Sequence, residues 1–243
     1  MSIFEYSILF LSVILGGGLA FYIKELNKKY LDLILSLSGA YILGITILHL
    51  IPGIFKNGSE QIGLWVLAGF FIQLILGSLT QGVEHGHQHV HKGAGLPFAL
   101  SILVGLSIHA FIEGLPLSAY SDFHHHHHPD EGGFNHLLYG IILHKAPAAF
   151  VLVATLLRSG FSKITVISLL TVFASMSPLG ALLSEFFNVQ GDQINILLAL
   201  VVGSFLHIST TIIFEVDDTD KHKISWRKLG VITLGTVLAL LTM

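Results

Sequence analysis

Eight apolar stretches of roughly 20 residues, joined by short links, take up nearly all of this 243-residue chain. About 20 apolar residues in a helix cross roughly 30 Å of hydrocarbon, and a backbone in lipid has to satisfy its own hydrogen bonds. Stretches of this length therefore read as transmembrane helices. The expectation is an all-α, polytopic membrane protein with eight transmembrane helices in a single membrane domain, residues 1–243. A chain that is 53% hydrophobic and 11% charged, with a mean hydropathy of +0.77, excludes an ordinary soluble domain.

The first span reaches Tyr22; it lacks a basic leader segment and is too long for a signal-peptide core, which predicts an uncleaved span. The others are placed at Leu31–Ile54, Gln61–Val83, Leu96–Tyr120, Phe134–Leu157, Ile164–Phe187, Ile194–Phe214 and Leu229–Thr242. Pro52 and Gly53 are expected to break span two just after His49. Two histidine-rich segments, Glu84–His91 and the five consecutive residues His124–His128, read as loops.

Orientation follows from Lys and Arg alone. Ten of the twelve lie in the links after spans one, three, five and seven; the remaining links hold only Lys56, and Lys145 is intramembrane. Both termini are then expected outside, the His85–His91 loop in the cytosol and the pentahistidine outside. Short loops and compact length point to a bacterial inner membrane. Nucleic acid is not expected as a partner.

Span five sets His144 and Lys145 side by side in hydrocarbon. An ionisable side chain at that depth costs roughly 2.5 to 3.5 kcal/mol on insertion scales, so it marks a functional site and needs a partner. Span four supplies candidates: His109 and Glu113, four residues apart, share one helix face. With no cysteine in the chain, a metal site has to use imidazole, carboxylate, hydroxyl or carbonyl ligands. Two imidazoles and a carboxylate suit Zn²⁺ and, less selectively, Fe²⁺ or Mn²⁺. Pro116 and Pro147 can kink their helices, and Gly105, Gly114, Ala146, Ala148 and Ala149 allow close helix approach. The competing reading makes Glu113 and Lys145 a structural ion pair, with both histidines merely hydrogen-bonded in the bundle. His49 reads as an interfacial residue near the end of span two, and His207 as an interhelical histidine in span seven.

At these residues the chain resembles the ZIP (Zrt/Irt-like) family of divalent-metal transporters. Its fourth span typically reads His-Asn-x-Pro-Glu-Gly, and its fifth has His or Gln with a proline three residues on. His49-Leu50-Ile51-Pro52 resembles the family's second-span His-Leu-Leu-Pro, and Ser177-Pro178-Leu179-Gly180 falls in span six. The run His144-Lys145-Ala146-Pro147-Ala148-Ala149-Phe150 is similar to the subgroup containing a mammalian Golgi-associated zinc transporter. The resemblance implies an inverted repeat, spans one to three against six to eight, around spans four and five.

It further implies a transporter, not an enzyme, moving Zn²⁺ toward the cytosol as substrate, with no cofactor and with a homodimer as its assembly. Many members bind two ions. Their second-site ligands fall at Ala110, Lys145, Ala148 and Ser177, and none of these is a ligand of that kind here. One ion is therefore expected, on His109, Glu113 and His144. Lys145, Ser177, His49 and His207 are candidates for the pathway or for charge compensation, Lys145 as a fixed positive charge near the second ion's place. Two other classes fit the same triad: a membrane metal sensor that binds without transport, and an intramembrane zinc hydrolase. The hydrolase needs a general base or an orienting carboxylate beside the metal, and Glu113 is the only acidic residue deep in spans four and five.

Overall fold

The computed structural model describes residues 1–23, 28–86, 93, 95–120, 135–214 and 225–241. The pentahistidine and residues 87–91 of the other histidine-rich segment lie outside the described residues. The described residues form eight helices and no strand: α1 Ile3–Leu19, α2 Lys28–Lys56, α3 Ile62–Thr80, α4 Leu96–Tyr120, α5 His136–Arg158, α6 Lys163–Phe186, α7 Asp192–Phe214 and α8 Trp226–Leu241. Each coincides with one expected span. Helices α2 to α7 are long and apolar enough to cross a membrane; α1 is a shorter apolar helix, and α8 has 16 residues.

The helices begin where the sequence provides caps. Ser2 and Glu5 form a reciprocal capping box at the start of α1. Asn135 accepts from the Leu138 N–H to open α5, and Ser162 accepts from Thr165 to open α6.

Two local features depart from expectation. Pro52 and Gly53 do not end α2, which is π-helical over Thr46–Leu50 and α-helical again over Ile51–Asn57. The Ile51 N–H reaches back to the Thr46 carbonyl, five residues away, just before the proline that has no N–H to give. Pro52 then occupies the first turn of a resumed helix, where it is tolerated. The end of α3 comes early, at Thr80. Gln81 (φ 52°) and Gly82 (φ 73°) are both left-handed, and they turn the chain into a short 3-10 segment, Val83–His85, that buries Val83 and Glu84.

The packing order is regular. Helix α1 lies on α5 as α6 lies on α4, and α3 lies on α7 as α8 lies on α2; α1 also meets α6, and α2 meets α7. Exchanging the first three helices with the last three, and α4 with α5, maps each of these contacts onto another or onto itself. That is the pairing an inverted repeat produces.

Glycines set the separations. A Cβ at Gly69 would strike the Leu200 carbonyl, one at Gly203 the Val66 carbonyl, one at Gly114 the Ser177 carbonyl and one at Gly180 the Phe111 carbonyl. Gly16 faces Ala146 and Gly235 faces Leu37 in the same way. Backbone therefore touches backbone across α3–α7, α4–α6, α1–α5 and α2–α8, the close packing that small residues permit in lipid.

Helix α5 occupies the middle, with Ile141, Ala149, Val151, Leu152, Val153 and Leu156 fully buried. Large apolar side chains such as Leu64, Leu67, Phe71 and Ile75 on α3, and Ile164, Leu182 and Phe186 on α6, are exposed. In a bilayer these faces meet hydrocarbon. At the helix ends Tyr6 donates to Glu185 at 2.7 Å, and Lys228 donates to Asp32 at 3.2 Å.

Candidate metal site

The central position of α5 leaves the side chains of His144 and Lys145 no route to water, and α4 brings His109 and Glu113 against them. Exposures are 1% for His144, 2% for Lys145, 2% for His109 and 0% for Glu113, so every charge here has to be balanced locally. His109, Glu113 and His144 each offer one ligand atom, and those atoms all lie within 4.8 Å of one another. The two imidazole rings stand nearly perpendicular, at 84°, with centroids 6.0 Å apart. Two ligands held tetrahedrally at Zn²⁺ bond lengths lie roughly 3.4 Å apart, so modest side-chain rotations would close the group on one ion.

The two oxygens of Glu113 face different nitrogens. Oε1 lies 2.9 Å from His109 Nε2, and Oε2 lies 3.1 Å from Lys145 Nζ. Both contacts are off the hydrogen-bonding axis, and neither oxygen has a hydrogen-bond partner among the described residues. The carboxylate is thus held by charge, with its lone pairs available to a ligand of better geometry.

Lys145 does more than neutralise Glu113. Its Nζ donates to the Ser177 hydroxyl and, at 3.4 Å, to the Ala110 carbonyl, while Ser177 itself donates to that carbonyl at 2.7 Å. Ala110 and Ser177 are two of the positions that the family resemblance assigns to a second ion. The close passage of α4 against α6, Gly114 on Ser177 and Gly180 on Phe111, is what brings the Ala110 carbonyl within reach.

The structure thus gathers His109, Glu113, His144, Lys145 and Ser177 in one place. His49 and His207 lie elsewhere. The ring of His49 stacks on His136 at the start of α5, with centroids 4.6 Å apart and planes 12° from parallel; the π-helical turn carries it there. His207 sits edge-on to Phe70 at 5.0 Å and to His85 at 6.0 Å.

Sequence reasoning overlooked a second layer behind His109. Ser204 on α7 lies 3.3 Å from His109 Nδ1 and donates to Gln73 on α3 at 3.0 Å, and the Gln73 amide donates in turn to Glu84. The available signal was Gln73, a lone amide inside an otherwise apolar span. His136 was overlooked as well, because it stands at a span boundary where a polar residue needs no explanation.

A family model described as ZIP Zinc transporter matches residues 81–243. Zinc transporter ZIP9-B of Xenopus laevis is 25% identical over 164 residues, 64% of this chain and 52% of that protein. Zinc transporter ZIP9 of Micropogonias undulatus is 25% identical over 168 residues, with the same shares of each chain. The chain spans about half the length of the curated relatives it matches.

Proposed function

The chain belongs to the ZIP zinc transporter family, and on that premise we propose that it carries Zn²⁺ across a membrane through one intramembrane site made by His109, Glu113 and His144. The observation that carries this reading is the buried convergence of those three side chains to within 4.8 Å. Two imidazoles and a carboxylate, with no thiolate anywhere in the chain, favour Zn²⁺ and admit Fe²⁺ or Mn²⁺.

Lys145 is the counter-charge of this single-ion centre. An ammonium balancing Glu113, with its remaining protons on Ser177 and Ala110, does the electrostatic work of a second cation while staying fixed to the protein. Ion binding then replaces a proton. At 2.9 Å, the lone pairs of His109 Nε2 and Glu113 Oε1 repel each other unless one of the two atoms carries a proton, and a metal needs the lone pairs of both. Each bound ion accordingly displaces one proton from the site.

The distribution of Lys and Arg supports both termini on the outer side of the membrane; short loops and compact length support a bacterial inner membrane, and the family resemblance supports transport toward the cytosol. His49 with His136, and His207 with His85, are then polar stations on the pathway away from the centre. The family resemblance supports a homodimer and the whole chain acting as one membrane unit. Zn²⁺ uptake into proteoliposomes carrying the parent or site variants tests the reading. Binding without uptake would instead favour a sensor.

A further inference from the structure

Four buried side chains form a directed hydrogen-bond chain that ends on the metal-facing histidine. Its members are Glu84 in the 3-10 turn after α3, Gln73 on α3, Ser204 on α7 and His109 on α4. Their exposures are 0%, 1%, 4% and 2%, so water does not compete for these groups. The α3–α7 contact makes the chain possible. Gly69 lies one turn before Gln73, Gly203 immediately precedes Ser204, and both glycines touch the opposite backbone. The short serine side chain can therefore bridge to α3. The left-handed pair Gln81 and Gly82 turns Glu84 back to meet Gln73.

The direction of each hydrogen bond follows from the one before. The amide nitrogen of Gln73 is the atom that faces and donates to Glu84. The amide oxygen is then left for Ser204, whose single hydroxyl proton goes to it at 3.0 Å. Having spent that proton, Ser204 Oγ can only accept from His109, so the proton of the 3.3 Å contact belongs to Nδ1. An imidazole protonated at Nδ1 coordinates through Nε2, the atom that faces Glu113.

We propose that Glu84, Gln73 and Ser204 are positioning residues that fix the tautomer and ring orientation of His109, so that its Nε2 is the atom presented to the ion. The inference rests on the reading of His109 as a ligand. Outer partners of a ligating histidine affect metal affinity by roughly 10- to 100-fold when removed. The chain delivers the orienting carboxylate through two intermediates rather than by direct contact.

The test measures Zn²⁺ affinity of the purified full chain by calorimetry for the parent and for Ser204→Thr, Ser204→Val, Glu84→Gln and His109→Ala. Thr and Val have the same shape, so their difference reports the hydroxyl and not the packing. The expected result is binding within about threefold of the parent for Ser204→Thr, and binding weaker by about tenfold or more for Ser204→Val and Glu84→Gln. In Glu84→Gln the amide of Gln73 loses its reason to point one way, although volume is unchanged. Equal affinities for the Thr and Val variants, or parental affinity in Glu84→Gln, would overturn the inference. Should both Ser204 variants fail to fold, Glu84→Gln decides it. Parental affinity in His109→Ala would instead remove the ligand assignment itself, which separates the two failures.

Discussion

Lys145 Nζ lies 3.1 Å from Glu113 Oε2 with both groups sealed from solvent, so neither charge is tolerable without the other. Removing one partner of a buried pair leaves the second uncompensated, at a cost of about 3 to 5 kcal/mol.

Lys145→Met is therefore expected to destabilise the protein by about that amount and to change its Zn²⁺ affinity. The double variant Lys145→Met with Glu113→Gln is expected to recover much of the lost thermal stability, because it removes both charges. Melting curves of the two variants in detergent, read beside calorimetric Zn²⁺ titrations, check this. Parental stability and affinity in Lys145→Met would remove the counter-charge role.

Binding of Zn²⁺ is expected to release about one proton per ion, the one carried by either His109 or Glu113. Calorimetric titration in buffers of different ionisation enthalpy gives the number directly. In Glu113→Gln no carboxylate stands beside His109 to favour that proton, and the release is expected to fall.

The glycine contacts make a prediction about the scaffold. Gly203→Ala places a methyl group against the Val66 carbonyl, which belongs to a helix backbone and cannot yield as a side-chain tip would. A loss of about 1 to 3 kcal/mol is expected, with separation of α3 from α7. Gly63→Ala, where a Cβ meets nothing within 4 Å, is the control. It is expected to be neutral or up to about 1 kcal/mol stabilising.

The positions of the helices could be read from sequence because bilayer thickness dictates their length, and all eight expected spans coincide with helices. The triad was legible for a related reason: His109 and Glu113 share a helix face by spacing, and an ionisable residue such as Lys145 is conspicuous among apolar neighbours. What spacing does not contain is which helix faces which. The α3–α7 and α2–α8 pairings rest on Gly203 and Gly235 meeting backbone carbonyls far away in the chain.

Backbone detail was hidden too. Pro52 looks like a helix breaker until the preceding π-helical turn is seen to absorb its missing donor. Glu84 looks like part of a solvated histidine-rich loop, yet two left-handed residues return it to the interior. The positioning chain behind His109 depends on that turn, so Gln73, its one signal in the sequence, could not be joined to its partners by spacing.

The central claim is that one buried triad carries the transported ion. Zn²⁺ uptake into proteoliposomes, measured with an internal fluorescent indicator for the parent, His109→Ala, Glu113→Ala and His144→Ala, tests it most directly. The account predicts uptake by the parent and loss of at least tenfold in each variant, with all proteins reconstituted to equal density. Uptake by His144→Ala and Glu113→Ala equal to that of the parent would contradict it.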